Sequence, residues 1–567
     1  MQARADGAVT SEAAVRLPFM APRLQGELHP EGWVDLALWG AGDLGRLRFS
    51  PLSGPYVFTP NGLTCPYGAV AVAQSQPAMV ISGVEARRFY PARRCAGWDR
   101  QTHPAALTER LGSLRIVSLA WGLVGIDQRG QDLVVAVGAS RDELTAALGL
   151  SVSEIRAEAE AYSARCDRMP EADPILRSMI IQGVHAGLSS IRRDVDGQFA
   201  GLAAGLAYSA PARTYYRDGY WTLQLLLDLE PDIVRQQLEL LAGGVREDGQ
   251  APSGVIVSGR EQALAWQVRL RGSRRDGRDH PNPKEWWADH FDSPLFFILT
   301  LGDYVAKTGD TGPVTAHWAV VRRVFERYAA ICREGLPLKP RHDRDWADNV
   351  YRAGYVAYDL GLWLGALEVI IRLGSHDPDL QQRAADLAQR GVAHLDEVLW
   401  QPQGWYADYL DPDGVTEPHL SLDSLTLIRG ASVPEDRALA LLDSIRTHLE
   451  SARNPDQPYG DWGVMCAWPA YGTRRDIRSK TAFAYRYHNG SDWPWLDGLY
   501  AEERLKRGLG GARYALTRWW KVSLEKGWIG AVEYYSPPWG RGCLLQGWSA
   551  MPAAVALRYR DQVLAAR

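Results

Sequence analysis

Two changes of pattern along the chain predict a mainly α protein, an (α/α)6 six-hairpin barrel preceded by an N-terminal β-sandwich. Up to about residue 165, short apolar or alternating segments are separated by Gly, Pro and Asp turns; beyond residue 170 the apolar period becomes helical. Loops rich in acidic, aromatic and amide residues then recur before every second helix. A chain of 567 residues exceeds one ordinary core, and the expected division is 1–165 for the sandwich and 170–567 for the barrel.

The β segments are WVDLALWG, LGRLRFS, AVAVAQ, AMVISGV, LRIVSLAWGLVGID and LVVAVGA, spaced much as in a β-sandwich and without a catalytic cluster. The first helical stretch, DPILRSMIIQGVHAGLSSIRRD, opens on an Asp-Pro start signal and repeats apolar residues at i, i+3 and i+4. Further stretches follow at 217–229, 231–243, 293–308, 311–333, 352–374, 378–398, 421–430, 434–451, 491–507, 510–526 and 547–560. The loaded loops are YYRDGYW, DHFDSP, DWADN, HLSLDS, YHNGSDWPW and EYYSPPWGRGCLLQGWS. Their markers Asp218, Asp292, Asp348, Asp423, Asp492 and Trp548 lie 74, 56, 75, 69 and 56 residues apart. That spacing equals two helices and two loops, a repeat of αα-hairpins in architecture but not in sequence.

Six such hairpins close into a ring with parallel inner helices. All six loops then lie at one end, beside the partly positive N-termini of the inner helices. Asp292, Asp423 and Ser549 are equally well read as simple N-caps. N-capping does not account for the Trp, Tyr, His and Asn collected at the same ends.

Composition narrows the function. Basic and acidic side chains number 63 and 67, giving a net charge of −4, and no basic patch suited to nucleic acid or an anionic membrane appears. No apolar run is long enough for a transmembrane helix, and the first twenty residues lack an h-region. The six cysteines show no CxxC spacing, which fits a reducing compartment, so a cytoplasmic protein is expected. Histidines are too dispersed for a metal site. GLGGARYAL has neither the preceding strand nor the Lys-Ser/Thr of a phosphate loop, and GxSxG and HExxH are absent. The expectation is therefore no cofactor and no metal. Arginine outnumbers lysine 56 to 7, which reads as codon bias.

Of 22 tryptophans, 18 follow residue 170, many beside Asp, Asn, Gly or Pro. Indole offers a flat apolar face and one N–H, which suits the C–H faces and hydroxyl edges of sugars as well as an ordinary core. A rim of Trp, Tyr, Asp, Glu, His, Asn and Arg suits carbohydrate. Glycoside cleavage needs two carboxyl groups flanking the bond. Asp218, Glu247, Asp248, Asp289, Asp292, Asp345, Asp348, Asp461, Asp492, Asp497 and Glu533 are all candidates, and residue types alone do not choose the pair.

DWADNVYRAGYVAYDLGLWLGALEVI resembles the amylo-α-1,6-glucosidase (glycogen-debranching) segment in which Trp-x-Asp opens an inner helix. YHNGSDWPWLDGLYAEERLKRG is similar to the Tyr-His-Asn-Gly-x-x-Trp-Pro motif of those enzymes, seen also in neutral invertases. EYYSPPWGRGCLLQGWSAMPAAVAL resembles the Glu-x-Tyr and Gly-Trp-Ser/Thr segment of trehalases and processing α-glucosidase I relatives, and YYRDGYWTL resembles their Arg-Asp motif. The resemblance covers roughly 170–567, in order. It implies an inverting, exo-acting glycoside hydrolase with Asp348 as general acid and Glu533 as general base. An offset of three residues would exchange Asp345 for Asp348.

The expected substrate-binding residues are Tyr216, Arg217, Asp218, Trp221, Trp287, Asp289, Asp345, Trp346, Asp461, Trp462, Tyr487, His488, Asn489, Trp493, Trp495 and Trp548. Asp461 and Trp462 would close over the pocket. The expected substrate is a carbohydrate ending in an α-linked glucose or related hexose, joined α-1,6 or α-1,2 or to a small group such as glycerate. A phosphorylase or a polysaccharide lyase on the same barrel, or a non-catalytic sugar-binding or helical scaffold protein, are the alternatives.

Overall fold

Some helices of this chain are apolar on every side and others on one side only, and the difference sorts them into two layers. The computed structural model describes strands within residues 2–111. Beyond them it describes 112–119, 122–138, 140–193, 199–205, 213–256, 285–286, 290–341, 343–430, 433–472, 479–525, 531–543 and 546–566. In chain order the helices are α1 (Arg141–Gly149), α2 (Val152–Cys166), α3 (Pro174–Ser190), α4 (Tyr216–Leu229), α5 (Pro231–Gly244), α6 (Ser293–Thr308) and α7 (Gly312–Ala329). They continue as α8 (Ala357–Leu373), α9 (Pro378–Leu399), α10 (Leu425–Arg429), α11 (Glu435–His448), α12 (Pro494–Lys506), α13 (Ala512–Glu525), α14 (Met551–Arg558) and the short α15 (Arg560–Ala565).

In α4 every residue from Tyr216 to Leu227 is buried, and α12 is buried from Pro494 to Leu505. In α9 burial follows one stripe, Leu380, Ala384, Ala388, Gly391, Leu395 and Leu399. Helices of the first kind have nowhere to face but the interior. The inner ring runs α4, α6, α8, α10, α12 and α14, each touching the next, and α14 closes it against α4. The outer helices seat behind them: α5 on α4 and α6, α7 on α5 and α6, α9 on α8, α13 on α12, and α3 on α14 and α4. The fold is thus the expected (α/α)6 barrel, and its inner helices all begin at the end that carries the loaded loops.

Close approach in the ring depends on glycine. A Cβ on Gly361 of α8 would stand 2.4 Å from the Thr426 carbonyl carbon and 2.5 Å from the Leu427 nitrogen, both backbone atoms of α10. The expected helix at 352–374 begins only at Ala357, because Arg352 turns inward to bind three carboxylates and Gly354 follows with φ 81°.

The N-terminal segment forms two six-stranded antiparallel sheets. Strands Ala78–Ser82 and Val84–Tyr90 follow one another yet belong to different sheets, so the chain crosses between the two there. The expected β character stops at Gly138, and α1 and α2 fill 141–166. Capping accounts for this. Ser140 Oγ accepts from Glu143 N at 3.2 Å, and Ser151 and Glu154 form a reciprocal capping box at 3.2 and 2.7 Å. Leu144, Ala147 and Ile155 then pack on Ala78, Val80, Ile116, Val134 and Ala136, a core distinct from that of the barrel.

Substituting Gly361→Ala is expected to destabilise the protein by about 1–3 kcal/mol in urea unfolding, because backbone cannot yield. Gly365→Ala on the same helix meets only the end of the Leu299 side chain, at 3.3 Å. It should be neutral or stabilising by up to about 1 kcal/mol through helix propensity.

Candidate active site

The site rests on a buried ionic cluster beneath the loop 345–354. Arg352 spreads its guanidinium over three aspartates: Nη2 lies 2.8 Å from Asp345 Oδ1, and Nη1 lies 2.8 Å from Asp408 and 2.7 Å from Asp423. Lys339 contacts Asp345 and lies 3.1 Å from Asp359. These charges are sealed from water. Burial alone would raise the Asp345 carboxyl, but Arg352 and Lys339 hold it far below the usual carboxylate range. Burial pushes Asp359 upward against Lys339 and Arg352, and Asp408 upward against Arg352. Trp346 donates its indole N–H to Asp423, and Ala347 N donates to Asp345 Oδ1 at 2.8 Å. The segment Asp345–Ala347 is therefore clamped, and the next residue, Asp348, projects from it.

Asp348 is the most open acid of the site, its side chain 22% exposed. Tyr487 donates its hydroxyl to Oδ2 at 3.2 Å, and Arg217 Nη2 lies 3.7 Å from Oδ1. Arg217 is itself fixed by Asp292, 2.9 Å from Nη1. Asp292 also accepts from the Tyr358 hydroxyl at 3.2 Å and makes no side-chain cap on α6, so its N-cap reading gives way to a role in holding Arg217.

Beside Arg217, Asp218 accepts from Gln546 Nε2 at 3.0 Å, a contact between residues 328 positions apart. Burial raises its carboxyl to about 7. The negative charges of Asp348 and Glu533 add to the rise and Arg217 opposes it. Arg217 links α4 to Asp348, and Tyr487, which donates to Asp348, meets the ring of Tyr534 edge-on at 5.2 Å, so α4, the 345–354 loop and the 533–543 segment come together here. Glu533 is 5% exposed and accepts from Cys543 N at 2.9 Å. Its backbone pairs with Cys543, its N–H donating to Cys543 O at 2.7 Å. A Cβ on Gly542 would stand 2.5 Å from Glu533 Oε2, so the turn back toward the carboxylate admits only glycine without displacement.

Around these acids stands a wall of indoles. His488 stacks on Trp493 at 5.0 Å and 10°, with Trp346 at 4.8 Å edge-on to the same histidine. Trp495 stacks on Trp221 at 4.5 Å, and Trp548 borders both Trp493 and Trp495.

The structure draws together Arg217, Asp218, Asp348, Tyr487 and Glu533 of the expected residues, with His488 and Trp548 close to full burial in the wall. It corrects several others. Asp345 is locked between Lys339 and Arg352 and cannot exchange roles with Asp348. Trp221, Trp493 and Trp495 have no surface open to water, and Trp346 faces Asp423, so these indoles support the wall from within. Tyr216 points outward to donate to Leu241 O at 2.7 Å. Asn489 is buried and spends its amide on Tyr471 and on Thr481 O. Asp461 pairs with Arg518 on α13 at 3.0 Å, and Trp462 is buried against Gln457, so neither closes over the centre. Trp287 and Asp289 lie outside the described residues. Gln546, Cys543 and Tyr358 escape sequence reasoning; only Gln546 had a signal, its place just before Gly-Trp-Ser. No group of His, Cys, Asp and Glu suited to a metal ion occurs among the described residues.

Among solved structures the chain is similar to a bacterial glucoamylase complexed with acarbose, at 12% identity and a TM-score of 0.57, covering 98% of this chain and 85% of that one. It is also similar to the rhamnosidase from Klebsiella oxytoca with rhamnose bound, at 16% identity and a TM-score of 0.52, covering 98% and 96%. These likenesses are of fold and place the chain among (α/α)6-barrel structures. No protein-family model and no curated protein matches it. No helix among the described residues is long and apolar enough to cross a membrane.

The Asp218 carboxyl gives a test by linkage. From about pH 4 to pH 7 it ionises in the unfolded chain while the folded protein still holds the proton, so folded stability falls across that window. Asp218→Asn removes that loss. Its Tm relative to the parent should climb from pH 4 to pH 7 and then level off; a difference independent of pH would count against the assignment.

Proposed function

We propose that the protein is an inverting glycoside hydrolase that removes a terminal α-linked glucose or related hexose, with Asp348 as general acid and Glu533 as general base. The observation that carries this reading is that Tyr487, which donates to Asp348, meets edge-on at 5.2 Å the ring of Tyr534, the neighbour of Glu533, so two acids 185 residues apart in the chain come to one place. Two carboxyl groups flanking one cavity are what an inverting displacement needs: one protonates the departing oxygen, and the other takes a proton from the attacking water. Tyr487 and Arg217 orient Asp348, and the Cys543 amide orients Glu533. The names of the structurally similar proteins, a glucoamylase and a rhamnosidase, agree with action on carbohydrate.

In the proposed step, Asp348 gives its proton to the glycosidic oxygen while Glu533 activates water on the opposite face of the ring. Arg217 and Asp218 are the residues proposed to hold hydroxyls of the terminal sugar. The resemblance of the motifs favours hydrolysis at a non-reducing end. Glucosides linked α-1,6 and α-1,2 and small glucosyl conjugates are the first substrates to try.

Asp348→Asn and Glu533→Gln should each lower kcat/KM by about 10²–10⁴ on the best substrate of a disaccharide and aryl α-glucoside panel, with Tm retained. NMR of the fresh product should show the β-anomer from an α-glucoside. Full activity in both variants, or an α-anomer as first product, would reject the mechanism.

A further inference from the structure

Three of the five large apolar side chains exposed among the described residues lie on or beside the loops that lead to Tyr487 and Glu533: Tyr459 at 43%, Phe483 at 49% and Trp539 at 47%. Phe483 and Trp539 stand 5.3 Å apart with their rings inclined at 55°, and Arg486 lies over both, 5.7 and 5.1 Å from the ring centres. Tyr459 extends the edge through Tyr485, 5.2 Å away. The arrangement is fixed rather than loose. Trp539 donates its indole N–H to Ala484 O at 3.2 Å, and Ser536 donates its hydroxyl to Tyr485 O, so two loops are tied together beneath the rings. With the N–H committed, what Trp539 offers outward is ring surface.

Both loops lead directly to the acids. Phe483 is four residues before Tyr487, whose hydroxyl binds Asp348, and Trp539 is six residues after Glu533. Tyr487 and Tyr534 meet at 5.2 Å, so the tied loops bring the rings beside both the partner of Asp348 and the neighbour of Glu533, and of the two carboxyls Asp348 is the more open. In a glycosidase the acid faces the group that departs.

We propose that Phe483, Trp539 and Arg486 form a leaving-group platform that binds the sugar ring next to the scissile bond. This inference deepens the glycosidase reading and rests on it for the direction of the substrate. The two aromatic rings supply apolar surface for the C–H face of a pyranose, and the guanidinium supplies donors for its hydroxyl edge. A platform of this kind discriminates among leaving groups without touching the terminal sugar. The protein should therefore prefer oligosaccharides to glycosides whose leaving group has no ring.

The test compares Trp539→Ala, Phe483→Ala and Trp539→Phe with the parent, each checked for unchanged Tm. On α-glucosyl fluoride, whose leaving group has no ring, kcat/KM should stay within twofold. On the best oligosaccharide of a panel of maltotriose, isomaltotriose, panose and kojibiose, it should fall about tenfold in the alanine variants and be largely restored by Trp539→Phe. Equal losses on both substrates, or none on either, would overturn the platform. Independently of turnover, the same panel is titrated calorimetrically into Asp348→Asn and into Asp348→Asn/Trp539→Ala. A tenfold weaker Kd in the double variant supports the platform even if no glycoside is cleaved, and an unchanged Kd, or no binding of any sugar, overturns it. A change in oligomeric state on light scattering, with sugar binding intact, would mean that a second copy of the chain covers these rings and would likewise overturn it.

Discussion

One guanidinium holds the loop-bearing end of the barrel together. Arg352 binds Asp345 from its own loop, Asp408 from the strand at 407–410, and Asp423 from the turn before α10. Each anion would be costly to bury alone, and together with Lys339 the two cations make the cluster tolerable. Such clusters are no evidence of great stability, since apolar residues of the same volume often serve as well. What this cluster contributes is position: it joins the third and fourth hairpins and determines where the loop bearing Asp348 must lie.

The indole wall follows from the same constraint. Trp346 is part of the clamped loop, its N–H bound to Asp423, and its ring meets His488, Trp493 and Trp495 edge-on at 4.8–5.3 Å. Through these contacts the clamp reaches the 487–495 segment and so Tyr487, which adopts φ 55° to turn its hydroxyl toward Asp348. That backbone region is unfavourable for a side chain of this size, and the packing around it supplies the compensation. The environment of Asp348 is therefore set by residues from three separate hairpins.

The barrel was legible in the sequence because its inner and outer helices differ in how much of their circumference is apolar, and because acidic and aromatic residues mark every second helix start. Arg217, Asp218, Asp348 and Glu533 were found through local motifs. The sequence was less informative about which face of a motif points inward. Trp493 and Trp495 flank a proline at a helix start, as sugar-stacking residues might, yet both are enclosed by other rings. Asp345 and Asp348 differ by three positions in one loop, and only the distant Lys339 and Arg352 distinguish the sealed acid from the open one. Long-range partners of this kind, like Gln546 on Asp218, leave no trace in local spacing. At 141–166 the capping residues were present in the sequence, but the β pattern before them masked the change of period.

The contact between Gln546 and Asp218 joins the last hairpin to the first, and Glu533 comes from the same late segment. During synthesis, a ribosome that has released Asp218 and Asp348 has still to deliver the residues that complete their surroundings. Until then the open ring presents unpaired inner helices with apolar flanks. A premature stop shortly before residue 533 would leave most of the barrel in place, but Asp218 without Gln546 and the ring without the helix that closes it.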